Sequence, residues 1–355
     1  MSEGTDTMCV LVTPRSPEAW PHHLYARRSR KRATVAALTV VFACVAMGAD
    51  LAWASWSDRL TKRLRATDNA LFGASTPGFP WDSTDMSHFV ESAGKRPRLI
   101  MTFHGWAREG FPTTAVNAAA DAGAIPVVTW NPWDSKNGVD QPTYSLRRII
   151  DGRFDAYIRQ FAREARAWRR AIFLRFAAEM NGDWLPWSEG VNGNRAGQYV
   201  KAWRRVHRIF RNVGATNVAW VWSPNVIYAG STPLRRLYPG DAYVDWIGVD
   251  GYNWGTVRPS TRWKSFREVF RPTLTALRRI TRKPIMLAEV ASTEVGGSKS
   301  RWITNFFVGL RRNPDILAFA WFNHEKETDW RIQSSEAAEH AFATGVANRR
   351  YRGAA

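Results

Sequence analysis

Two glutamates stand at positions where a carboxylate needs a partner or a chemical task. Glu179 and Glu289 each follow a short apolar run directly, and a charge beside buried residues is costly unless it is compensated. Hydrolysis of a glycoside needs two carboxyl groups: one protonates the leaving oxygen, while the other attacks the anomeric carbon or activates water. The structural alternative is that each glutamate pairs with a buried arginine such as Arg175. We interpret the two glutamates as a candidate catalytic pair.

Aromatic and polar side chains surround these glutamates in the sequence. The chain contains 19 tryptophans, and a flat indole face packs well against the C–H face of a sugar ring while hydroxyls bond around its edge. Many of the tryptophans lie in loops or at the ends of apolar runs, where they can line a cleft. The predicted substrate-binding residues are Trp184, Tyr252, Trp321, Trp187, His104, Trp130 and Asn131.

Residue types argue against several other chemistries. The two cysteines, Cys9 and Cys44, lie in the first 54 residues. The rest of the chain therefore has no cysteine nucleophile and no Cys-ligated zinc or iron–sulfur site. The 7 histidines form no cluster with acidic residues, so we predict no metal and no cofactor. Ser223 has no G-x-S-x-G context, which argues against a serine hydrolase.

The strongly basic composition raises the question of a nucleic-acid partner. The chain has 50 Lys and Arg against 31 Asp and Glu, a formal net charge of +19. The basic residues are spread along the chain, and in residues 154–170 four arginines occupy the face opposite an apolar stripe. This pattern is typical of the solvated face of a barrel helix. We predict no nucleic-acid partner, although the charge favours contact with an anionic envelope or an acidic polymer.

Short apolar runs alternate with longer amphipathic ones, and this order predicts a (β/α)8 TIM barrel. An open doubly wound sheet is the alternative, but no G-x-G-x-x-G follows the first strand. Chemistry in such a barrel lies at the carboxyl ends of the strands, so Glu179 after strand four and Glu289 after strand seven face one another across the mouth. The predicted strands are 70–74, 98–103, 125–130, 171–177, 217–222, 245–249, 284–288 and 316–322. The clearest predicted helices are 113–123, 153–170, 195–213, 263–281, 299–312 and 334–347.

The first 54 residues have the composition of an export signal. Residues 27–32 are basic, residues 33–49 carry no charge, and Ala52 and Ala54 form an A-x-A site. This order is typical of a signal peptide, or of a signal anchor where it is not cleaved. We expect an exported protein, secreted or anchored by residues 33–49 on the outer side of the cytoplasmic membrane, and a monomer. The predicted organisation is a disordered leader 1–32, a signal segment 33–54, a connector 55–69, the barrel 70–348 and a tail 349–355.

Several segments together resemble glycoside hydrolase family 26, best known for β-mannanases. Residues 174–187 are similar to the family's acid/base region, with Glu179, Gly182 and Trp184 at the matching positions. Residues 244–255 resemble the segment that supplies an active-site tyrosine, here Tyr252. Residues 283–292 are similar to the nucleophile strand with Glu289, and residues 318–332 to the last strand. The resemblance covers residues 70–348 and implies a retaining endo-β-glycosidase whose sugar ring lies on Trp321.

Two positions depart from the family pattern. Family members commonly carry His immediately before the acid/base Glu, where this chain has Ala178, and Asn131 stands where many members have His after strand three. In related barrels the first of these residues reaches toward the 2-hydroxyl of the sugar, and alanine has no hydrogen-bonding group. The resemblance therefore implies β-1,4-mannan as the first substrate and leaves β-glucan, xylan or an envelope exopolysaccharide open.

Three hypotheses from different classes follow. The first is a retaining endo-β-glycosidase acting on a polysaccharide. The second is a weakly catalytic polysaccharide-binding protein of the cell envelope, suggested by Ala178 and by the candidate anchor. The third is a basic envelope protein that binds an anionic polymer through its arginine-rich faces. Release of reducing ends from soluble β-glycans separates the first hypothesis from the other two.

Overall fold

Eight parallel strands close into a barrel in which each strand pairs with the next and β8 pairs with β1. The computed structural model describes residues 55–107 and 110–351. The closed order confirms the predicted (β/α)8 barrel and excludes the open sheet. The strands are β1 Leu71–Ser75, β2 Leu99–Gly105, β3 Ile125–Asn131, β4 Ile172–Phe176, β5 Val218–Trp222, β6 Trp246–Asn253, β7 Ile285–Ser292 and β8 Ile316–Phe322.

Helices lie between the strands, and the six predicted ones are present with ends that differ by a few residues. Apolar stripes at helical spacing face the barrel, while arginine-rich faces lie toward solvent. The helices are α1 Trp56–Ala66, α2 Thr84–Ala93, α3 Thr113–Asp121, α4 Leu146–Ile150, α5 Asp155–Trp168, α6 Gln198–Val213, α7 Leu234–Leu237, α8 Phe266–Arg278, α9 Lys299–Arg311 and α10 Glu336–Ala347.

The segment 55–69, predicted as a connector, is part of the fold. It contains α1, which closes the amino-terminal end of the barrel. Leu60 and Leu64 belong to the same buried cluster as the inward-facing strand residues. The Trp56 indole nitrogen donates to the Asn217 carbonyl at 2.9 Å, and its ring meets Phe173 edge-on at 5.0 Å. The sequence analysis did not predict α1 because the helix has a narrow apolar stripe and a mostly charged surface.

The predicted tail 349–355 also begins inside the fold. Residues Arg349–Tyr351 form a turn of 3₁₀-helix. Tyr351 is buried, with its ring 5.5 Å from Phe307 and 5.7 Å from Phe319. The Ala70 amide donates to the Arg350 carbonyl at 2.8 Å, next to the start of β1. The barrel domain therefore includes at least residues 55–351.

Two buried layers result from the alternation of side chains along each strand. Inward-facing residues fill the barrel interior, and outward-facing residues pack against the helices. On β8, Ala318 and Ala320 belong to the inner cluster, whereas Phe319 and Trp321 belong to the outer one. The face that a strand residue occupies therefore decides whether it can reach the barrel mouth.

Strands β6 and β7 are longer than predicted, and this places two candidate site residues on strands rather than on loops. Tyr252 lies on β6 and Glu289 on β7. A register shift after Val249 sets Asp250 opposite Glu289. Side chains on paired strands are held more rigidly than side chains on loops, which suits a site that needs fixed geometry.

The candidate export segment lies outside the described residues. The expectations for the leader 1–32 and for residues 33–54 therefore stay predictions. Within residues 55–107 and 110–351, no helix has the length and apolar character needed to cross a membrane.

Candidate active site

Glu289 is held in one orientation by two donors at the carboxyl end of the barrel. The Arg175 guanidinium donates to its Oε1 at 2.8 Å, and the Tyr252 hydroxyl donates to its Oε2 at 2.5 Å. The side chain of Glu289 is largely buried. Burial and the negative charge of Glu289 raise the pKa of Tyr252 well above its usual value, so Tyr252 stays a hydrogen-bond donor across the working pH range.

Arg175 connects two carboxylates inside the barrel. Its side chain is fully buried and bonds Asp250 at 2.5 Å, Glu289 at 2.8 Å and the Thr129 hydroxyl at 3.0 Å. Burial lowers the pKa of Arg175, but the charges of Asp250 and Glu289 outweigh burial and raise it. Burial raises the pKa of Asp250, against the opposing effect of Arg175. The arginine pairing that the sequence offered as an alternative is therefore present for Glu289, where it orients the carboxylate.

Glu179 lies on an unusual turn immediately after β4. Ala177 and Glu179 have φ angles of 47° and 57°, a left-handed region that costs a residue other than glycine about 1–3 kcal/mol. Long-range hydrogen bonds hold the turn: the Glu179 amide donates to the Ser223 carbonyl at 2.7 Å, and the Trp187 indole donates to the Ala178 carbonyl at 2.7 Å. The surrounding fold thus fixes the direction in which Glu179 projects.

The carboxyl group of Glu179 has uncharged partners, in contrast to that of Glu289. The Trp184 indole donates to its Oε2 at 2.9 Å and the Asn225 amide donates to its Oε1 at 2.6 Å. Burial raises the pKa of Glu179, and the charge of Glu289 raises it further. The two hydrogen bonds and the more distant Arg175 lower the pKa only in part. Glu179 is therefore suited to hold a proton that it can donate.

Aromatic side chains flank the two glutamates on both sides. Trp184 and Tyr228, each more than one third exposed, lie with their rings 5.6 Å apart beside Glu179. On the other side, the half-buried Phe322 meets Tyr252 edge-on at 5.7 Å. Phe103, 43% exposed, meets Phe322 at 6.3 Å. The mouth of the barrel is therefore a cleft with apolar walls and a polar, charged floor.

The structure places Trp321 away from this cleft, contrary to its predicted role as the sugar platform. Trp321 is fully buried, and its indole nitrogen donates to the Trp330 carbonyl at 2.9 Å. Its ring packs on Trp302 of α9 and Phe342 of α10. The cause is strand alternation: Trp321 points outward toward the helices, and its neighbour Phe322 takes the side that faces the mouth.

Two further predicted platforms are buried. Trp130 stacks on Phe161 of α5 with ring centroids 4.2 Å apart and donates to the Tyr157 hydroxyl at 3.0 Å. It therefore lies in the outer layer between β3 and α5. Trp187 is also fully buried. Its hydrogen bond to the Ala178 carbonyl fixes the turn that carries Glu179, and its ring does not line the barrel mouth.

His104 and Asn131, both predicted to bind substrate, lie on opposite faces of the barrel wall. Along β2, Met101 contacts the inward-facing Arg175, so the alternation turns His104 to the opposite face together with Thr102. His104 is buried there, and its Nε2 lies 2.8 Å from the Thr102 hydroxyl. Asn131 continues the inward face of β3 and is partly exposed at the barrel mouth.

Three residues of the site were not among the predicted site residues, and only one of them, Arg175, was named from the sequence, as a possible structural partner. They are Arg175, Asp250 and Asn225, which contact Glu289, Arg175 and Glu179 respectively. A signal existed for Arg175, because an arginine inside an otherwise apolar strand needs buried anions. No comparable signal existed for Asn225 and Asp250, because their partners come from distant parts of the chain.

These features together define a glycosidase-like barrel, and comparison with known proteins identifies its family. Residues 104–290, more than half of the chain, match glycosyl hydrolase family 26. The chain therefore belongs to that family, which confirms the resemblance seen in its motifs.

Individual relatives in the family differ in the substrate that their names state. The chain is 39% identical over 266 residues to endoglucanase H of Acetivibrio thermocellus, a match that covers 73% of this chain and 28% of that protein. It is 33% identical over 86 residues to a mannan endo-1,4-β-mannosidase of Bacillus subtilis, covering 23% of each chain. The chain thus spans less than a third of the length of either relative.

A solved structure shows the same fold. A GH26 β-mannanase from Bacteroides ovatus superposes with a TM-score of 0.60 at 17% identity, covering 82% of this chain and 92% of that one. At this identity the similarity supports the barrel architecture alone.

Proposed function

We propose that the protein is an endo-acting β-glycan hydrolase that retains the anomeric configuration, with Glu289 as nucleophile and Glu179 as acid/base. The observation that carries this proposal is the contrast between the two carboxyl groups. Glu289 is fixed by a guanidinium and a phenol, whereas Glu179 has uncharged donors and a raised pKa. Two carboxyl groups with such different environments suit the two roles that glycoside hydrolysis requires.

In the first step, a carboxylate oxygen of Glu289 forms a bond to the anomeric carbon as the glycosidic C–O bond breaks. Glu179 transfers its proton to the leaving oxygen, so the departing chain leaves as a neutral alcohol. Arg175 and Tyr252 hold the attacking group in position and limit its rotation. Asn225 and Trp184 hold the acid beside the leaving oxygen.

In the second step, Glu179 acts as a base. Formation of the glycosyl ester removes the negative charge of Glu289, and that charge is one of the causes that raise the pKa of Glu179. The pKa of Glu179 therefore falls in the intermediate, so that it accepts a proton from the water that attacks the anomeric carbon. Cleavage of the ester then restores both glutamates.

We further propose a β-glucan as the substrate. Ala178 presents only a methyl group, and its carbonyl is already bonded to Trp187. The cleft therefore lacks, at this position, the imidazole that would contact a 2-hydroxyl, which is axial in mannose and equatorial in glucose. The match to an endoglucanase extends over 266 residues, which supports the same choice.

Mannan is the second candidate. The 33% identity to a mannan endo-1,4-β-mannosidase over 86 residues favours it, as does the general resemblance of the motifs to β-mannanases. In that case another residue of the cleft would have to recognise the axial 2-hydroxyl in place of Ala178.

The test is a substrate scan with the purified protein. Soluble mixed-linkage β-1,3-1,4-glucan, β-1,4-mannan and xylan are incubated separately, with Glu289→Ala as the blank. We expect reducing ends to appear fastest from β-glucan, with an early fall in viscosity, and proton NMR to show a β-anomer as the first product. Faster release from mannan would select the second candidate. Binding without release from any glycan would select a polysaccharide-binding role.

Export is part of the proposal as well. The order of basic, uncharged and small residues between positions 27 and 54 supports secretion or anchoring on the outer side of the cytoplasmic membrane, where polysaccharide is accessible. Amino-terminal sequencing of the mature protein tests cleavage after Ala54.

A further inference from the structure

The amino-terminal end of the barrel, opposite the active site, carries a cationic pocket. It has a volume of about 400 Å³ and lies between α1, the end of α8 and the start of β7. Its charged lining residues are Arg65, Arg278, Arg282, Lys283 and Asp315. Four cations thus surround a concave space that holds a single carboxylate.

The single carboxylate does not neutralise the pocket. Asp315 forms a two-bond ion pair with Arg278, with both N–O distances at 2.7 Å. For Arg65, Arg282 and Lys283, no carboxylate of the described part of the chain lies within ion-pair distance. Among the described carboxylates, the buried Asp245 acts on Lys283 only from beyond ion-pair distance. Three cations that converge on one cavity without a directly paired carboxylate form a binding site for an anion.

The surface around the pocket has the same sign. Helix α1 buries Leu60 and Leu64 against the barrel and turns Lys62 and Arg63 to solvent. Arg312 is exposed just beyond the end of α9, near Asp315 in sequence. A ligand attached to an extended anionic surface would therefore meet further positive charge beside the pocket.

The position of α1 in the chain indicates which anionic surface this is. Helix α1 begins at Trp56, and the uncharged run 33–49 ends only a few residues earlier in the sequence. If that run enters a bilayer, as its composition predicts, the amino-terminal end of the barrel is tethered close to the lipid headgroups.

We propose that the pocket of Arg65, Arg282 and Lys283 binds the phosphate of an anionic phospholipid headgroup and seats this end of the barrel on the membrane. The guanidinium groups match phosphate geometry, and the ammonium group adds a point charge. The active site at the opposite end then faces away from the membrane. The shared chemistry is phosphate, and free inorganic phosphate is the competing source.

The experiment uses the full chain reconstituted in nanodiscs of phosphatidylcholine, with or without phosphatidylglycerol. Amide hydrogen exchange is followed in α1 and in residues 278–285. We expect exchange there to slow about fivefold or more when phosphatidylglycerol is present. This factor corresponds to the binding free energy that one basic residue gains near an anionic surface, about 1 kcal/mol. The protection should disappear at high salt, because exposed charges are screened.

Paired variants locate the effect. The double variant Arg65→Glu with Arg282→Glu should abolish the protection. The control double variant, Arg163→Glu with Arg271→Glu, changes the net charge by the same amount but lies on the outer helices. It should retain the protection. Equal melting temperatures for both variants show that the fold is intact. Equal loss of protection in both variants would overturn the site, as would no protection by phosphatidylglycerol in the parent. Equal protection by inorganic phosphate in pure phosphatidylcholine discs would overturn the lipid assignment.

Discussion

The inner and outer faces of the same eight strands carry opposite kinds of side chain. At the barrel mouth the inner face presents a charged network, in which Arg175 joins Asp250 to Glu289. The outer face is an aromatic layer packed on the helices, with Trp130 and Trp321 fully buried. Adjacent residues such as Trp321 and Phe322 belong to different layers. The difference shows that tryptophans such as Trp130 and Trp321 pack the outer layer and do not reach the barrel mouth.

This separation has a measurable consequence. Changes on the inner face at the mouth should lower catalysis far more than stability, while changes in the outer layer should do the reverse. Each of the following variants tests one side of the comparison, and they are ordered by the size of the expected effect.

The largest effect is expected for Glu289→Ala. Without the proposed nucleophile no glycosyl-enzyme can form, and we expect kcat to fall on the order of 10⁶-fold, as for the nucleophile of another hydrolase. Kinetics on β-glucan and a thermal melt of the same sample measure both quantities. Retained turnover within tenfold of the parent would remove Glu289 from the chemistry.

Glu179→Ala should separate substrates by their leaving groups. Turnover of the polysaccharide should fall by about 10²–10⁴-fold, because its leaving oxygen needs an acid. Hydrolysis of an activated aryl glycoside should fall much less, since a good leaving group departs without a proton. Equal losses on both substrates would contradict the assignment of Glu179 as acid.

Trp321→Ala tests the outer layer. Removing a fully buried indole should lower the free energy of unfolding by about 3–5 kcal/mol. The kinetic constants of the fraction that remains folded should match those of the parent. Chemical denaturation and active-site titration on one preparation distinguish this outcome from a direct role in the cleft, for which kcat would fall in a stable protein.

Trp184→Ala is the matched change in the cleft. It removes an exposed indole that contacts Glu179 and Tyr228. We expect transition-state stabilisation to fall by about 1–3 kcal/mol, by analogy with stacking on aromatic platforms, with an unchanged melting temperature. Trp184→Phe keeps the ring but removes the donor. Because that hydrogen bond lowers the pKa of Glu179, the alkaline limb of kcat/KM should move to higher pH in this variant.

The smallest effect is expected at His207, which lies in the outer layer beside Trp220 and Tyr243. Burial lowers the pKa of His207 from 6.5 to about 4. Between these values the unfolded chain binds a proton that the folded chain does not, so stability is lost as the pH falls below 6.5. His207→Phe should recover about 1 kcal/mol of that loss near pH 5.5. Denaturant unfolding at neutral and acidic pH measures it, and an unchanged pH dependence would contradict the assignment.

The sequence alone was enough to predict the barrel and the two glutamates. Alternating apolar and amphipathic runs are a local property, and each can be read without knowing where the chain goes next. A carboxylate at the end of an apolar strand is likewise visible locally, because its desolvation cost requires an explanation. Strand order then placed Glu179 and Glu289 at the same end of the barrel, and Trp184 and Tyr252 beside them.

Only the tertiary structure decided which neighbouring residues lie beside the two glutamates. A shift of one position in a strand moves a side chain from the mouth to the helix layer, so the choice between Trp321 and Phe322 depended on the register of β8. The bond from Arg175 to Asp250 and Glu289 joins strands separated by 75 and 114 residues. The turn at Glu179 depends on Ser223 and Trp187. Such contacts arise from closure of the barrel, which no local pattern encodes.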